Sequence, residues 1–239
     1  MAPIIEVDGG VLADLDKLGI RYNLREDTPI SVQTAIETTI DNYTYIPSAG
    51  AGFYFSNHKG PLNENWFETH KALSLKKLAL PDGTERQLRM PIIPEFIEAL
   101  KYLKIHNPEI YKEITEQRNP WRANWLDADF KVINRVLYIN YNHVIDVNGN
   151  PVPKNSEPMD KDTLMENRTP GISLDSWLEN PTPQGFPRKT IDKGDLDYWY
   201  PKSDNNSVAG FVVYSFWRGL FCGRGPSNGN PALGVFAVA

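Results

Sequence analysis

The C-terminal 37 residues are the part of this sequence that most restricts how the chain can fold. From Ser203 to Ala239 the chain contains no Lys, Glu, Gln or Met, whereas the preceding 202 residues contain 14, 14, 4 and 4 of them. At that density about 6.6 residues of these types are expected among 37, which is far enough from zero to require a cause. The segment is not simply apolar, because arginine, asparagine and glycine recur along it. A constraint therefore acts here that does not act on the rest of the chain.

Two explanations account for this composition. A buried, glycine-rich closing strand excludes charged side chains, because burying an unpaired charge is costly. Alternatively, Asn codons of the AAY type that are randomised at their adenines become NNY codons, which cannot encode Trp, Met, Lys, Glu or Gln. Only Trp217 departs from the second explanation. The sequence by itself leaves both open.

The order of residues in this segment carries a resemblance to a known family. The run Val208-Ala-Gly-Phe-Val-Val-Tyr214 leads into Trp217-Arg-Gly-Leu-Phe-Cys-Gly-Arg224, and Leu233-Gly-Val-Phe-Ala-Val238 follows an Asn/Gly/Pro loop. This ending resembles the variable region of diversity-generating retroelement variable proteins, which are ligand-binding proteins with a C-type-lectin fold from phages, archaeal viruses and microbes. The same ending occurs in the formylglycine-generating branch of that fold, which provides an alternative interpretation.

The resemblance extends upstream of the tail and implies a fold. Ile172–Trp177, Gln184-Gly185 and Tyr198–Pro201 are similar to the body of the same family, so the resemblance covers roughly 91–239. Residues 1–90 carry no family motif and are expected to pack onto, or contribute to, the same domain. The implied fold class is α+β, a C-type-lectin-like domain whose mixed, mostly antiparallel sheet is flanked by two helices and carries long inserted loops.

Within a variable region at about 207–239, the resemblance implies two kinds of position. The variable positions face solvent and contact the ligand; they are Val212, Val213, Tyr214, Phe216, Gly219, Phe221, Gly223, Gly225, Gly229 and Ala232. The scaffold positions hold the loop by packing and backbone hydrogen bonds; they are Trp217, Arg218, Leu220, Cys222, Arg224, Asn228, Asn230, Leu233 and Gly234. Tyr214, Phe216 and Phe221 are the expected anchors, because exposed aromatic rings give a large contact area at a low entropy cost.

Charge and hydropathy exclude two classes of partner. The net charge of −5 and the pI near 5.4 give no electrostatic reason to attract nucleic acid, so no nucleic-acid partner is expected. No apolar stretch approaches the roughly 18 residues of a membrane span. The start at Met1–Ile5 lacks the basic and apolar regions of a signal peptide. At 239 residues the chain can bury one sizeable core, or a core with a small appendage.

Apolar spacing and turn residues predict the secondary structure of the first half. A short opening helix is predicted over Val11–Leu18, ended by a glycine. Between Asn42 and Asn57 two β-rich runs flank a glycine turn. Helices are predicted over Pro94–Lys104 and Ile110–Gln117, the second with Asn107 as its N-cap.

The second half is predicted to contain strands and a long loop. Strands around a turn are expected over Phe130–Ile145. Trp121 and Trp125 have the spacing of an aromatic pair on a helix, where they would pack helix against sheet. The stretch Gly149–Pro187 is predicted to be long and irregular, with one capped helix at Ile172–Leu178.

The residue types that carry metal or catalytic chemistry lack recognisable spacing. His58, His70, His106 and His143 have no partner three or four positions away, so no zinc site is predicted. Asp127, Asp129, Asp146, Asn148 and Asn150 suggest calcium ligands, but the glycine and terminal glutamate of a calcium loop are missing. A lone Cys222 between Phe221 and Gly223 is expected to be a small buried hydrophobic residue. We therefore expect no catalytic residue, no metal and no cofactor.

These observations predict a non-enzymatic ligand-binding protein, receptor-binding or adhesin-like, whose C-terminal surface is diversified by adenine-directed mutagenesis. The expected partner is a macromolecule, a protein on a cell or virion surface, and a homo-oligomer is possible. A location on a virion or cell surface is favoured over a purely cytoplasmic one. Two alternatives stay open: a structural or assembly protein of a virion, and an oxidoreductase of the formylglycine-generating type, which would need a redox partner because its paired cysteines are missing.

Overall fold

The described residues fold into an α+β architecture. The structure is a computed structural model, and it describes residues 40–48 and 52–239. The helices of this part of the chain are α1 (Trp66–Ser74), α2 (Ile93–His106), α3 (Pro108–Thr115) and α4 (Leu174–Glu179). The strands are β1 (Tyr43–Ile46), β2 (Phe53–Ser56), β3 (Lys77–Ala79), β4 (Glu85–Gln87), β5 (Arg122–Ile133), β6 (Val136–Ile145), β7 (Pro151–Pro158), β8 (Arg168–Ile172), β9 (Leu196–Trp199), β10 (Ser207–Val213), β11 (Arg218–Arg224) and β12 (Leu233–Gly234).

One sheet of eight strands organises these elements. Seven strands follow the order β7-β6-β5-β10-β11-β9-β8, and β12 pairs with β5. All neighbours in that order are antiparallel except β11 and β9, and β12 is parallel to β5. β1 pairs with β2 and β3 with β4 as two further antiparallel ribbons. The predicted mixed, mostly antiparallel sheet is therefore confirmed.

Strand β10 lies at the centre of the sheet and is buried on both faces. All seven of its residues are buried, and its neighbours β5 and β11 satisfy its backbone hydrogen bonds. Because side chains alternate along a strand, Phe211 and Val213 enter the core on one face while Val208 and Val212 enter the core on the other. A continuous apolar run is the sequence pattern of a strand covered on both sides.

Helices α2 and α4 cover the first face, and we call the interior between them and the sheet the helix-side core. The apolar face of α2 contributes Phe96, Leu100 and Leu103, all fully buried. Glu95 caps the start of α2 by accepting from the Ile92 N–H at 3.1 Å. Helix α3 begins where predicted, because the Asn107 side chain accepts from the Ile110 N–H at 3.3 Å. Both predicted helices are confirmed.

Helix α1 and the chain ends cover the second face, whose interior we call the opposite core. Trp66 of α1 is 2% exposed, and its indole donates to the Leu126 carbonyl of β5 at 3.0 Å. The C-terminal residue closes this side, since Ala239 and Tyr54 exchange two backbone hydrogen bonds of 3.0 Å. Elements from the first ninety residues thus share their cores with the C-terminal strands, and all described residues belong to one compact unit, 37–239.

Several predictions of secondary structure need correction or lie outside the described residues. Trp121 and Trp125 are not a helical pair: Trp125 lies within β5 and Trp121 immediately precedes it, because the apolar alternation of β5 outweighs the four-residue spacing. The stretch Gly149–Pro187 is less irregular than predicted, since it contains β7 and β8, although its capped helix is confirmed as α4 with Ser173 as N-cap. The predicted helix Val11–Leu18 lies outside the described residues.

The two phenylalanines of the tail provide a matched test of this core. Phe211 is fully buried, with its ring 5.5 Å from Phe96 and 6.2 Å from Trp177, whereas Phe216 is 76% exposed. We expect Phe211→Ala to lower the free energy of unfolding by about 3–5 kcal/mol. We expect Phe216→Ala to change it by less than about 0.5 kcal/mol. Urea denaturation of both variants measures the difference, and equal losses would contradict this placement of β10.

Candidate functional site

The hairpin between β10 and β11 brings the tail to the surface. Its turn is closed by the Tyr214 N–H, which donates to the Trp217 carbonyl at 2.7 Å. The Tyr214 carbonyl in turn accepts from the Arg118 N–H at 2.9 Å, which holds the hairpin against the segment after α3. Phe216 projects from the tip of this turn as one of the most exposed large apolar side chains of the described residues.

Six aromatic side chains gather around this hairpin, and we call them the aromatic face. Their rings form a chain of contacts: Tyr214 stacks on Trp217 at 4.5 Å, Trp217 meets Trp199 edge-on at 5.0 Å, and Trp199 meets Phe221 at 4.9 Å. Trp121 extends the chain by stacking on Tyr214 at 5.0 Å. None of these rings is fully buried. The face consists of Trp121, Trp199, Tyr214, Phe216, Trp217 and Phe221.

The alternation of β11 explains why the aromatic face forms where it does. Leu220 and Cys222 point into the helix-side core, where both are fully buried. Phe221 therefore points to the other side of the sheet, where it lies against the opposite core. The parallel register places Trp199 of β9 beside Phe221, so two neighbouring strands bring their rings to one surface.

Two arginines frame the aromatic face. The Arg224 guanidinium lies 5.6 Å from the ring centre of Trp121 and 5.5 Å from that of Trp125, a distance at which a cation is attracted to the ring. Arg218 pairs with Asp195 at 2.8 Å and donates to the Thr115 carbonyl at 3.1 Å. Both arginines thus contact neighbouring elements of the chain.

The expectation that all variable positions face solvent is wrong for three side chains. Val212 is 1%, Val213 0% and Ala232 9% exposed. The two valines belong to β10, which is covered on both faces, and Ala232 immediately precedes β12. Replacing them with polar residues would bury unpartnered polar groups, so we expect loss of stability there.

Space around the expected variable glycines divides them into two groups. A Cβ added to Gly219 would lie 2.6 Å from the Asp197 carbonyl oxygen, so a side chain there collides with the backbone of β9. At Gly223 the nearest group is the flexible Lys202 side chain, and at Gly225 and Gly229 the nearest atoms lie at 3.5 and 3.7 Å. Gly219 therefore has no room for the side chains that a variable position would carry, whereas the other three glycines have room for them.

The loop between β11 and β12 is held by its backbone. The Pro226 carbonyl accepts from the Trp66 N–H at 2.9 Å, and the Asn230 side chain accepts from the Ala232 N–H at 2.9 Å. Lys59 donates to the Ala232 carbonyl at 2.8 Å. The Asn228 side chain is exposed, although its N–H donates to the Gly225 carbonyl at 3.2 Å.

Gly234 and Leu233 close this loop against the fold. A Cβ at Gly234 would lie 2.9 Å from the Pro61 carbonyl, and Leu233 is 1% exposed in the opposite core.

Burial explains the composition of only part of the tail. Residues 207–213 and 232–239 are buried throughout, and an interior strand excludes charged side chains. Residues 214–231 are mostly half-buried or exposed, so burial does not account for the absence of Lys, Glu and Gln there. The burial explanation therefore covers only residues 207–213 and 232–239.

A second group of polar side chains lies where α1 packs against β5 and β6, and none of them belongs to the aromatic face. His70 of α1, Asp127 of β5 and His143 of β6 are all buried, and each offers one atom to a cluster within 4.8 Å that could hold a metal ion. The His143 Nδ1 lies 2.5 Å and the His70 Nε2 lies 3.6 Å from Asp127 Oδ1. Sequence reasoning missed this group because its members are far apart in the chain and only the α1–β5–β6 packing brings them together.

Burial and the carboxylates set the charge of the two histidines in opposite directions. Burial lowers the pKa of His70 to about 4, against the attraction of Asp127. Burial also acts to lower the pKa of His143, but its hydrogen bonds to Asp127 and Asp129 outweigh burial and raise the pKa to about 9. Near neutral pH His70 is therefore neutral, and His143 shares a proton with its carboxylates.

Other residues considered for chemistry have structural roles. Asp146 Oδ1 accepts from the N–H groups of Asn148 and Asn150 at 2.9 and 2.8 Å, which is the geometry of an ordinary turn. Cys222 is completely buried, and burial raises the pKa of its thiol.

Comparisons with known proteins add no assignment: no family model, no curated protein and no solved structure matches this chain. Among the helices of 40–48 and 52–239, none is both long and apolar enough to cross a bilayer.

The two groups of glycines provide a test of the site geometry. We expect Gly219→Ala to destabilise the protein by about 1–3 kcal/mol, because the added methyl must displace backbone in a packed sheet. We expect Gly225→Ala to stay within about 0.5 kcal/mol, since its neighbours lie at ordinary contact distance. Thermal unfolding of both variants distinguishes them, and a Gly219→Ala protein as stable as the parent would mean that position 219 accepts side chains.

Proposed function

We propose that this chain is a non-catalytic ligand-binding protein of the variable-protein type, and that its aromatic face contacts the ligand. The observation that carries the proposal is the gathering of six incompletely buried aromatic rings on one surface, four of which come from a segment free of Lys, Glu and Gln. Exposed apolar patches of this kind mark interaction sites.

The proposed fold is C-type-lectin-like. Its support is the mixed, mostly antiparallel sheet with α2 and α3 beside it, and the place of Leu233-Gly234 in a closing strand. The long segment between β7 and β9, with only short elements, agrees with the inserted loops of that family. Because similar folds serve many functions, the fold is secondary support for the function.

The proposed variable positions are narrower than the resemblance alone implies. They are the surface positions with room for different side chains: Tyr214, Phe216, Phe221, Gly223, Gly225 and Gly229. The buried β10 and β12 would carry this surface without changing, so new side chains could be tested by evolution without unfolding the sheet.

The ligand is proposed to be a protein on a cell or virion surface. Arg218 and Arg224 are the only ionised side chains from Phe211 to Ala239, and Arg218 is already paired with Asp195. Affinity would therefore come from desolvated aromatic contact, with a small contribution from charge. A face of this size buries a modest area, so presentation of several copies would increase the apparent affinity.

The aromatic proposal predicts which side chains control capture of the ligand. Phe216→Ala should reduce capture from a host-surface extract about tenfold or more, since truncation of an anchor costs about 2 kcal/mol. A Tyr214→Ala/Phe216→Ala/Phe221→Ala variant should abolish it, and raising the salt concentration should change it little. The matched controls are Leu75→Ala and Ile105→Ala, which remove side chains that are 87% and 75% exposed outside the face.

The same capture experiment separates the competing functions. Equal capture by parent and Phe216→Ala, or loss of capture at moderate salt, would contradict the aromatic proposal. If the captured protein is a second copy of this chain, light scattering should show an oligomer that the triple variant lacks, and the assembly-protein alternative would replace ligand binding.

The proposed diversification predicts a feature of the DNA. A near-copy of the segment that encodes 214–231 should lie close to the gene, beside a reverse transcriptase frame, and should differ from it at adenines. Sequencing of the flanking DNA checks this. Differences spread over all four bases would exclude adenine-directed mutagenesis while leaving the aromatic face to be tested by capture.

The formylglycine-generating alternative has less support. That chemistry uses paired cysteines, and this chain has the single Cys222, which is enclosed by the helix-side core. Its thiol is held protonated by burial, and the thiolate is the reactive form.

A further inference from the structure

The cluster of His70, Asp127 and His143 contains a buried polar atom without a partner. The His70 Nε2 makes no hydrogen bond, although the His70 side chain is only 4% exposed and this nitrogen lies 3.6 Å from Asp127 Oδ1. A buried polar atom left unpaired costs free energy, so such an atom in a native site calls for an explanation. A cation between His70 and Asp127 would supply the missing partner.

The hydrogen bond between Asp129 and His143 orients the His143 ring so that its Nδ1 faces Asp127 Oδ1. The His143 Nε2 lies 3.2 Å from Asp129 Oδ1, and its Nδ1 faces Asp127 Oδ1. When Nε2 donates its proton to Asp129, the Nδ1 lone pair is directed at Asp127. A histidine whose outer nitrogen donates to a carboxylate while the inner nitrogen is free is the usual arrangement of a metal ligand.

The remaining groups of the site are fixed before any cation arrives. Asp127 Oδ2 accepts from the backbone N–H of His143 at 3.1 Å, which leaves Asp127 Oδ1 for the centre of the cluster. Trp66 lies edge-on to both imidazoles, with ring centres 4.3 Å from His70 and 4.9 Å from His143. Such locked side chains lower the entropy cost of binding an ion.

We propose that His70 Nε2, His143 Nδ1 and Asp127 Oδ1 bind one divalent transition-metal ion of the zinc class. Two imidazole nitrogens and a carboxylate oxygen are ligands of Zn²⁺, Co²⁺ and Fe²⁺, and they disfavour calcium, which takes six to eight oxygens. Binding of the ion releases the proton that His143 otherwise shares with Asp127. A proton alone leaves the His70 Nε2 unpartnered, whereas a metal ion engages all three atoms.

The site has a path to solvent and room for further ligands. His70 and His143 line a surface cavity of about 520 Å³ together with Gln87, Arg89 and Lys154. Three protein ligands leave at least one coordination position free for water. Arg89 is already paired with Glu95, so Lys154 is the cation at the cavity wall that would favour an anionic small molecule as a fourth ligand. None of these residues belongs to the aromatic face, so this proposal does not depend on the proposed function.

Metal titration of the full chain tests the proposal. Protein without an affinity tag is stripped with a chelator, then titrated with Zn²⁺ by calorimetry and with Co²⁺ by visible absorption. We expect one equivalent of each ion to bind, a Co²⁺ spectrum of low coordination number with nitrogen ligands, and a rise of several degrees in the melting temperature.

Matched variants locate the ion. His70→Ala should weaken binding at least a hundredfold, and Asp129→Asn should weaken it about 10–100-fold, because Asp129 only orients His143. His58→Ala removes an exposed imidazole outside the cluster and should bind as the parent does. If His70→Ala does not fold, Asp129→Asn decides, since Asp129 is partly exposed and does not contact the ion.

The proposal is overturned if neither ion binds with saturation, or if the parent and Asp129→Asn bind with the same affinity. It is also overturned if His58→Ala loses binding and His70→Ala keeps it, because the ion would then lie elsewhere. In each of these cases the cluster holds a proton between His143 and Asp127 and does not bind a metal ion.

Discussion

The burial of β10 on both faces is the constraint on which the rest of the structure depends. An interior strand must place one set of alternating side chains in each of two cores, and both cores must be covered. Helices α2 and α4 cover one, while α1, the β3–β4 ribbon and the C-terminal residues cover the other. The chain therefore returns at Ala239 to pair with Tyr54, which joins the β1–β2 ribbon to the C-terminal residues.

The aromatic face forms beyond β10, where the elements that cover the sheet no longer bury its side chains completely. Beyond β10, the alternation of β11 still buries Leu220 and Cys222 on the helix side, but Phe221 and Trp199 emerge on the opposite side as half-buried residues. The rings then cover one another instead of a further element of the described chain. Incompletely buried rings that are held by strands paired on both sides are well suited to binding, because little conformational entropy is lost when a partner is bound.

The polar cluster beside Trp66 differs from the aromatic face, because here polar side chains are buried in the interior. In an interior composed mostly of apolar side chains, a carboxylate and two imidazoles meet where α1 crosses β5 and β6. Buried ionisable groups are retained only where hydrogen bonds or a bound ion compensate them, so the cluster and the aromatic face are two independent features of one scaffold.

The sequence by itself determined the local elements whose signals lie within a few residues. Asn107 and Pro108 fixed the start of α3, Ser173 fixed that of α4, and the two β-rich runs before Asn57 formed β1 and β2. The mixed, mostly antiparallel sheet was an expectation that came from the resemblance of the tail and not from local signals. Cys222 was correctly expected to be buried, since its neighbours are apolar or small.

Tertiary structure decided everything that depends on what covers a side chain. Val213 and Tyr214 are adjacent and both suit a strand, yet Val213 is fully buried and Tyr214 is half-buried, because the cover of the sheet ends between them. A Cβ added to Gly219 would collide with the Asp197 carbonyl oxygen at 2.6 Å, whereas at Gly225 the nearest atom belongs to the Asn228 side chain at 3.5 Å. His70, Asp127 and His143 have no common spacing in the sequence, and only the crossing of α1 over β5 and β6 brings their atoms within reach of one ion.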